Sequence, residues 1–198
     1  MASESGPGAE NSETRTAILD ATQQIMLEEG YAAVSSRRVA ERAGVNSALV
    51  YYYFGAMDDL FIATFRRGAD RTFRRQAEAL SSEQPLWALW ETIHDIPHTA
   101  LTMEFVALAN HRKAIRSEIT QSSQRFRKMH LEAASTILEG RHARPDVPSP
   151  EALILLMSSV SRFLLMEEAF GLSTGHAEMI AHVERLLREI EGERHAGP

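Results

Sequence analysis

Apolar residues recur at intervals of three and four along almost the whole chain, and no segment alternates apolar and polar residues as a strand does. This periodicity predicts an all-α fold. With 198 residues, of which 44% are hydrophobic, the chain is long enough to bury one core or two small ones.

Polar, glycine and proline residues divide the helical pattern into segments. The ends of the chain, residues 1–11 and 192–198, have the composition of disordered tails. Three short helices are predicted within residues 12–57, and one long helix over 58–80. The remaining helices fill residues 81–191, interrupted by a proline-rich loop at 140–150.

Charge and composition exclude several classes of protein. The net charge of −6 argues against indiscriminate coating of nucleic acid, yet Arg37, Arg38 and Arg42 face only Glu41 within residues 30–56. No segment has the roughly 20 apolar residues of a membrane span, and the N-terminus does not resemble a signal peptide, so a cytoplasmic protein is expected. Recognisable enzyme motifs are absent, and no cofactor is implied.

The segment NSALVYYYFG (46–55) carries four consecutive aromatic residues on a predicted short helix. At about 100° per residue, Val50, Tyr53 and Phe54 share one face and should pack inward. The opposite side carries Ser47, Ala48, Tyr51 and Tyr52. Phenols beside a small alanine suit a DNA groove, because each ring is apolar and ends in a hydrogen-bonding hydroxyl. The alternative is a bundle helix whose tyrosines are covered by a neighbour.

A short helix, a turn containing Gly44 and a second short helix form the helix-turn-helix pattern, in which the second helix enters the major groove. From Thr14 to about Phe65 the chain resembles the TetR family of bacterial transcriptional repressors. The resemblance rests on VSSRRVAERAGVNSALVYYYF at 34–54 and DDLF at 58–61, and the stretch from Thr14 to Phe65 covers about a quarter of the chain.

The resemblance implies a three-helix DNA-binding domain, a long linking helix, and a C-terminal domain for ligand binding and dimerisation. Ser36 would bind phosphate, and Arg37 would reach a base edge or phosphate. Many relatives have a phosphate-binding Lys where this chain has Met57. The candidate DNA contacts are Ser36, Arg37, Arg38, Asn46, Ser47, Ala48, Tyr51 and Tyr52.

A palindromic operator is read by a two-fold dimer, and the last two helices carry apolar stripes that would pair with their symmetry mates. The same stripes could instead be buried inside one subunit. The candidate interface residues are Leu153, Leu156, Met157, Val160, Leu164, Ile180, Val183, Leu187 and Ile190.

A small, apolar effector is expected in the C-terminal domain, although plain core packing is the alternative for each residue. The candidate pocket residues are Trp87, Trp90, Met103, Phe105, Phe126, Met157, Phe163 and Met166. His94 and His98 have a metal-like spacing, but Pro97 intervenes and no third ligand follows, so no metal site is predicted. The resemblance implies a ligand-controlled repressor that its effector releases from DNA, and the alternatives are a helical enzyme and a scaffold that retains the motif.

Overall fold

The computed structural model describes residues 7–93, 96–139 and 147–195. Every regular element in these ranges is a helix, which confirms the all-α prediction. In chain order they are α1 (Pro7–Glu29), a short 3₁₀ helix (Tyr31–Ala33), α2 (Ser36–Ala43), α3 (Ser47–Phe54), α4 (Met57–Ala79), α5 (Pro85–Ile93), α6 (Ile96–Ala109), α7 (Lys113–Ile137), α8 (Pro150–Glu168) and α9 (His176–Glu191).

The described residues form two compact units. The first contains those up to Ala69 together with Ala100–Thr120, and the second contains those of Asp70–Thr99 together with those from Gln121 onward. Helices α4 and α7 therefore each contribute residues to both units. This division by packing differs from the functional boundaries at 57/58 and 80/81, because α6 and the start of α7 pack with the N-terminal helices.

The first unit contains two neighbouring apolar clusters. One joins α1, α2, α3 and the start of α4 through Ile18, Val39, Val50, Phe54 and Leu60. The other brings α6 and α7 against α1 and α4, with Phe105 as a central side chain that makes an edge-to-face contact with Phe65. Burial of these side chains is the main force that holds such short helices in place, because isolated helices of eight residues are marginal in water.

The second unit is built around one cluster, to which α5, α7, α8 and α9 contribute Trp87, Trp90, Leu138, Leu153 and Leu187. The Glu191 carboxylate accepts hydrogen bonds from the backbone N–H groups of Leu86 and Trp87 at 2.9–3.1 Å. These are N–H groups at the start of α5, which have no partner within their own helix. The end of α9 therefore caps α5.

Both predicted tails need correction. Helix α1 begins at Pro7, so residues 7–11 are helical. At the other end, the Gln84 amide donates to the carbonyl of Glu193 at 2.8 Å, and Arg194 forms an ion pair with Glu91. Residues 192–195 are thus attached to α5 and the segment before it. Residues 1–6, 140–146 and 196–198, which carry the rest of the predicted tails and most of the predicted loop, lie outside the described residues, as do His94 and Asp95.

Pro97, which intervenes between the two histidines considered for a metal site, is the second residue of α6. A proline in the first turn removes an N–H that would have no helical partner anyway, so the helix begins there. Among the described residues, no helix combines the length and the apolar character needed to cross a membrane.

Candidate nucleic-acid interface

The two short helices α2 and α3 are joined by a tight turn at Gly44, whose φ of +67° is left-handed. Glycine adopts this conformation without the steric cost that a Cβ atom would bring. The turn is closed by a hydrogen bond of 2.9 Å from the Val45 N–H to the Ala40 carbonyl. Ala40 and Val39 face inward, so the turn fixes α3 against the first-unit core.

Side-chain caps set the start of each helix. The Ser35 hydroxyl accepts a hydrogen bond from the Arg38 N–H at 3.4 Å, and Asn46 Oδ1 accepts one from the Ala48 N–H at 2.9 Å. Such caps satisfy N–H groups that the helix itself leaves without a partner. Asn46 is therefore the N-cap of α3.

Helix α3 has a buried face and an exposed aromatic face. Val50 and Phe54 are 1% and 7% exposed, and Tyr53 packs at the edge of the same cluster. Tyr51 and Tyr52, in contrast, are 51% and 73% exposed. Ser47 and Ala48 are exposed as well. The tyrosines are thus not covered by the described part of the chain, as the helical wheel predicted.

Three arginines of α2 differ in their surroundings. Arg37 is exposed, and no ion pair of its guanidinium is found among the described residues. Arg38 forms an ion pair with Glu29, and Arg42 forms one with Glu28. The hydrogen bond from Arg38 lowers the pKa of Glu29 and raises that of Arg38, so both remain charged. Sequence reasoning missed these pairs, although the acidic end of α1 is visible just before Gly30.

Ser36 and Asn46, the two other predicted DNA contacts, and Met57, at the position of the missing lysine, differ in exposure. Ser36, the first residue of α2, is half-buried, whereas Asn46 is exposed while its side-chain oxygen caps α3. Met57 is the first residue of α4 and packs against both clusters of the first unit. Its side chain therefore contributes to the core where a lysine would point to phosphate.

Polar contacts fix α1 and the 3₁₀ helix within the first unit. Arg67 of α4 pairs with Asp20 at 2.7 Å, and the Glu104 carboxylate of α6 accepts a hydrogen bond of 2.7 Å from the Tyr31 N–H. Because α1 packs against α2 and α2 packs against α3, these contacts also restrain the position of α3, the second helix of the helix-turn-helix (the reading helix).

The predicted dimer stripes are mostly core of a single chain. Leu153, Met157, Val183, Leu187 and Ile190 are buried in the second unit's own cluster. Leu164 on α8 is buried as well. A side chain already covered by its own subunit has no surface to offer a partner, so the alternative of burial within one subunit holds for these residues. Leu156, Val160 and Ile180 are only half-buried.

The exposed apolar surface of these helices lies elsewhere. Leu155 and Phe163 on α8 are each 52% exposed, and Met179 on α9 is also exposed. A spacing of eight residues places Leu155 and Phe163 on the same side of α8. The sequence pattern did not separate this surface from the buried stripe, because both carry apolar residues at helical spacing.

The predicted pocket residues do not form one group. Trp87, Trp90 and Met157 belong to the second unit's core, and Phe105 to the first unit's. The remaining four are either at the surface or half-buried: Met103 and Phe163 are exposed, while Phe126 and Met166 are half-buried. The expectation of an apolar site lined by all eight residues is therefore too broad. Aromatic content alone does not distinguish residues that line a ligand pocket from residues of the hydrophobic core.

A buried polar pair lies beside Phe126. The His130 ring nitrogen Nε2 and the Gln76 amide oxygen are 2.9 Å apart, and both residues are buried in the second unit. Phe126 contacts both His130 and Phe73, and Arg125 lies over the Phe73 ring while pairing with Asp70 at 2.8 Å. Burial first, and the charge of Arg127 second, lower the pKa of His130 to about 4.

This pKa predicts an acid-sensitive contribution to stability. Between pH 6.5 and about 4 the unfolded chain binds a proton at His130 that the folded chain does not, so the free energy of unfolding falls as the pH falls through this window. The shift corresponds to roughly 3 kcal/mol. Urea denaturation at pH 7 and pH 4.5 should show a smaller pH dependence for His130→Gln than for the unsubstituted protein. Equal dependence in both would contradict the assignment.

No group of three His, Cys, Asp or Glu side chains is placed to hold a metal ion in the portions of the chain that the structure describes. Of the histidines considered for a metal site, His94 lies outside those portions, and the side chain of His98 is not described.

Comparison with known proteins agrees with this geometry. Residues 18–64, which contain α2, α3 and their supports, match the model of the bacterial regulatory proteins of the tetR family. The regulator BetI of Rhizobium meliloti (strain 1021) is 40% identical over 52 residues, which are 26% of this chain and 26% of that protein. HbdR of Aromatoleum sp. (strain CIB) is 26% identical over 140 residues, 67% of this chain and 61% of that protein. The chain thus spans about a quarter and about three fifths of these relatives.

Solved structures share the fold over nearly the whole chain. A TetR transcription regulator from Haloarcula marismortui superposes with a TM-score of 0.70 at 18% identity, covering 90% of this chain and 98% of that one. A transcriptional regulator from Saccharomonospora viridis, solved in complex with choline, gives 0.71 at 18% identity over 89% and 96%. Both curated relatives are HTH-type transcriptional regulators. Residues 18–64 therefore form a DNA-binding region of the TetR family of bacterial regulatory proteins, and the chain as a whole shares the fold of TetR-type transcriptional regulators.

Proposed function

We propose that this regulator is a ligand-responsive repressor that binds a palindromic operator as a homodimer. A small, apolar molecule bound by the C-terminal domain (residues 81–191) would release it from DNA. The observation that carries the proposal is the two-sided character of α3, whose Val50 and Phe54 are buried while Tyr51 and Tyr52 remain exposed. A surface of phenols beside Ala48 is apolar enough to pack on sugars and thymine methyl groups, and its hydroxyls reach phosphates or base edges.

In this proposal the exposed residues of α2 and α3 contact different parts of the DNA. Arg37 offers a bidentate donor pair to guanine O6 and N7, or binds phosphate. Ser47, Ala48 and Tyr52 enter the groove, Tyr51 contacts the backbone, and Asn46 lies at the edge. Ser36 binds phosphate at the start of α2, and Arg38 is an additional phosphate contact only when it leaves Glu29.

A homodimer follows from the two-fold symmetry of a palindrome, since each half-site needs its own reading helix. The exposed apolar residues of α8 and α9, Leu155, Phe163 and Met179, supply the surface best suited to a second copy of this chain. Half-buried Leu156, Val160 and Ile180 would lie at its margin. A helix pair meeting its symmetry mate forms a four-helix arrangement.

Release by an effector requires that the ligand bind the DNA-free conformation better than the DNA-bound one. The linking helix (residues 58–80) is the proposed route, because α4 contributes residues to both compact units. The proposed contacts for the effector are two half-buried side chains, Phe126, which packs beside the His130–Gln76 pair, and Met166 on α8. A regulator that shares this fold was solved in complex with choline, which supports the proposal of a small-molecule effector.

The proposal predicts a large effect of Arg37→Ala on operator binding. A selected-oligonucleotide experiment would first define the operator, and fluorescence anisotropy would then measure affinity. Each Arg37 is expected to contribute about 1–3 kcal/mol, so a homodimer that lacks both should bind at least about 30-fold more weakly. Arg74→Ala, which removes an exposed arginine of the second unit, is the matched control and should bind normally.

A scaffold that merely retains the motif would give a different result. It would select no sequence, and its weak DNA binding would be equally affected by Arg37→Ala and Arg74→Ala. A site-specific regulator instead loses operator affinity steeply between 50 and 200 mM salt, because phosphate contacts release counterions. The expected cytoplasmic location belongs to the same proposal, since the bacterial chromosome is there.

A further inference from the structure

The end of α1 and the exposed side of α2 form two adjacent ion pairs in the first unit. Arg38 pairs with Glu29 and Arg42 with Glu28, and a second nitrogen of Arg42 lies 3.7 Å from Glu29. All four side chains remain accessible to solvent, with exposed fractions between 32% and 56%. Glu29 is therefore shared between two arginines on the helix that precedes the reading helix.

Stability does not explain these pairs. Exposed ion pairs contribute about 0–1 kcal/mol, because both charges are well hydrated when apart. Their effect on the local field is larger. Residues 28–56 contain three arginines (37, 38 and 42) and three glutamates (28, 29 and 41), so the formal charge is 3 − 3 = 0. Without Glu28 and Glu29 it would be +2.

From this geometry we infer that Glu28 and Glu29 suppress sequence-independent DNA binding by holding Arg38 and Arg42 away from phosphates. The inference rests on the proposed DNA-binding function and assigns to the two glutamates a specificity-determining role within it. Arg37, which has no ion pair within the described ranges, and the exposed face of α3 then supply most of the contact with DNA.

The physical reason is that the complex with random DNA and the complex with the operator form through different contacts. Sequence-independent binding comes almost entirely from phosphate contacts, and a protein on random DNA can shift along it to optimise them. At an operator the contacts of α3 with the bases fix the position of the domain, so a released arginine reaches a phosphate only if one lies within range. The ion pairs that Arg38 and Arg42 form with the two glutamates therefore weaken binding to random DNA more than binding to the operator.

The experiment compares Glu28→Gln/Glu29→Gln and the single variant Glu29→Gln with the unsubstituted full chain. The probe is a fluorescent 30-base-pair duplex of scrambled sequence, measured by anisotropy between 50 and 200 mM KCl. We expect the double variant to bind this duplex about tenfold more tightly. Its plot of log affinity against log salt should be steeper by about 0.9 for each arginine that gains a phosphate. The ratio of operator to random affinity should fall.

Two controls separate ion pairing from general charge. Glu13→Gln removes one charge from an exposed position near the other end of α1, and it should change random binding much less than Glu29→Gln does. Adding Arg38→Gln and Arg42→Gln to the double variant should return binding to the original level or below. Circular dichroism should show equal helix content in all variants, as expected for exposed side chains.

The inference is overturned if Glu29→Gln behaves like Glu13→Gln, or if tighter binding persists after both arginines are replaced. Failure of the proposed function has a separate signature, namely that the unsubstituted protein shows no operator preference. The scrambled duplex reports on the ion pairs in either case, because its binding does not require an operator.

Discussion

Phe54→Ala should lower the free energy of unfolding by about 3–5 kcal/mol, whereas Tyr52→Ala should lower it by less than about 1 kcal/mol. The two rings are two residues apart on α3, but Phe54 is buried among Ile18, Val39 and Leu60 while Tyr52 is exposed. Removing Phe54 leaves a cavity in the cluster that holds α3 in place. Removing Tyr52 loses little beyond its edge-to-face contact with Tyr53, whose ring centroid lies 5.2 Å away.

The two substitutions should affect operator binding through different causes. Tyr52→Ala is expected to weaken operator binding while the protein stays folded, and Phe54→Ala to weaken it only in proportion to the unfolded fraction. Urea denaturation and anisotropy on the same samples measure both quantities. Phe54→Leu serves as the matched control, because it keeps most of the volume and should recover most of the stability. If Tyr52→Ala destabilised the protein as much as Phe54→Ala does, the exposed-face assignment would be wrong.

The helix-turn-helix formed by α2 and α3 could be predicted in detail, because the residues that determine it are close together in the sequence. Gly44 has a positive φ and ends α2 at the turn that the sequence predicted. Serine and asparagine caps fix the starts of α2 and α3, and a helical wheel is sufficient to separate Phe54 from Tyr52. Each of these features depends on residues within a few positions of one another.

The remaining features depend on contacts between residues distant in sequence. The spacing of Leu153 and Met157 shows that one side of α8 is buried, but it does not indicate whether another subunit or the same chain covers it. Likewise, the pairing of Arg38 with Glu29 depends on how α1 packs beside α2, and the partner of Glu191 is at the start of α5, over 100 residues earlier. Helical periodicity predicts which face of a helix is buried, but it does not identify the element or subunit that covers this face.

Phe163→Glu should convert the proposed homodimer into monomers without unfolding the chain. Phe163 is 52% exposed in a single subunit, so glutamate is tolerated there in the absence of a partner. In a two-fold interface each copy would lose the burial of a phenylalanine, worth about 1.5–3 kcal/mol, and would bring in a charge. Two copies together should raise the dimer dissociation constant at least about 100-fold. Operator affinity should fall with it, because one subunit reads one half-site.

Sedimentation velocity over a range of protein concentrations measures this change, and Val106→Glu is the matched control. Val106 is also an exposed apolar residue, but it lies on α6 in the first unit and not on the proposed interface helices, so its substitution should leave the dimer intact. Leu187→Ala distinguishes the buried stripe from the exposed one. Leu187 is part of the second unit's core, so its truncation should lower folding stability by about 2–5 kcal/mol and affect the dimer only through unfolding. If Leu187→Ala instead gave a folded monomer while Phe163→Glu remained dimeric, the interface would not be the exposed side of α8.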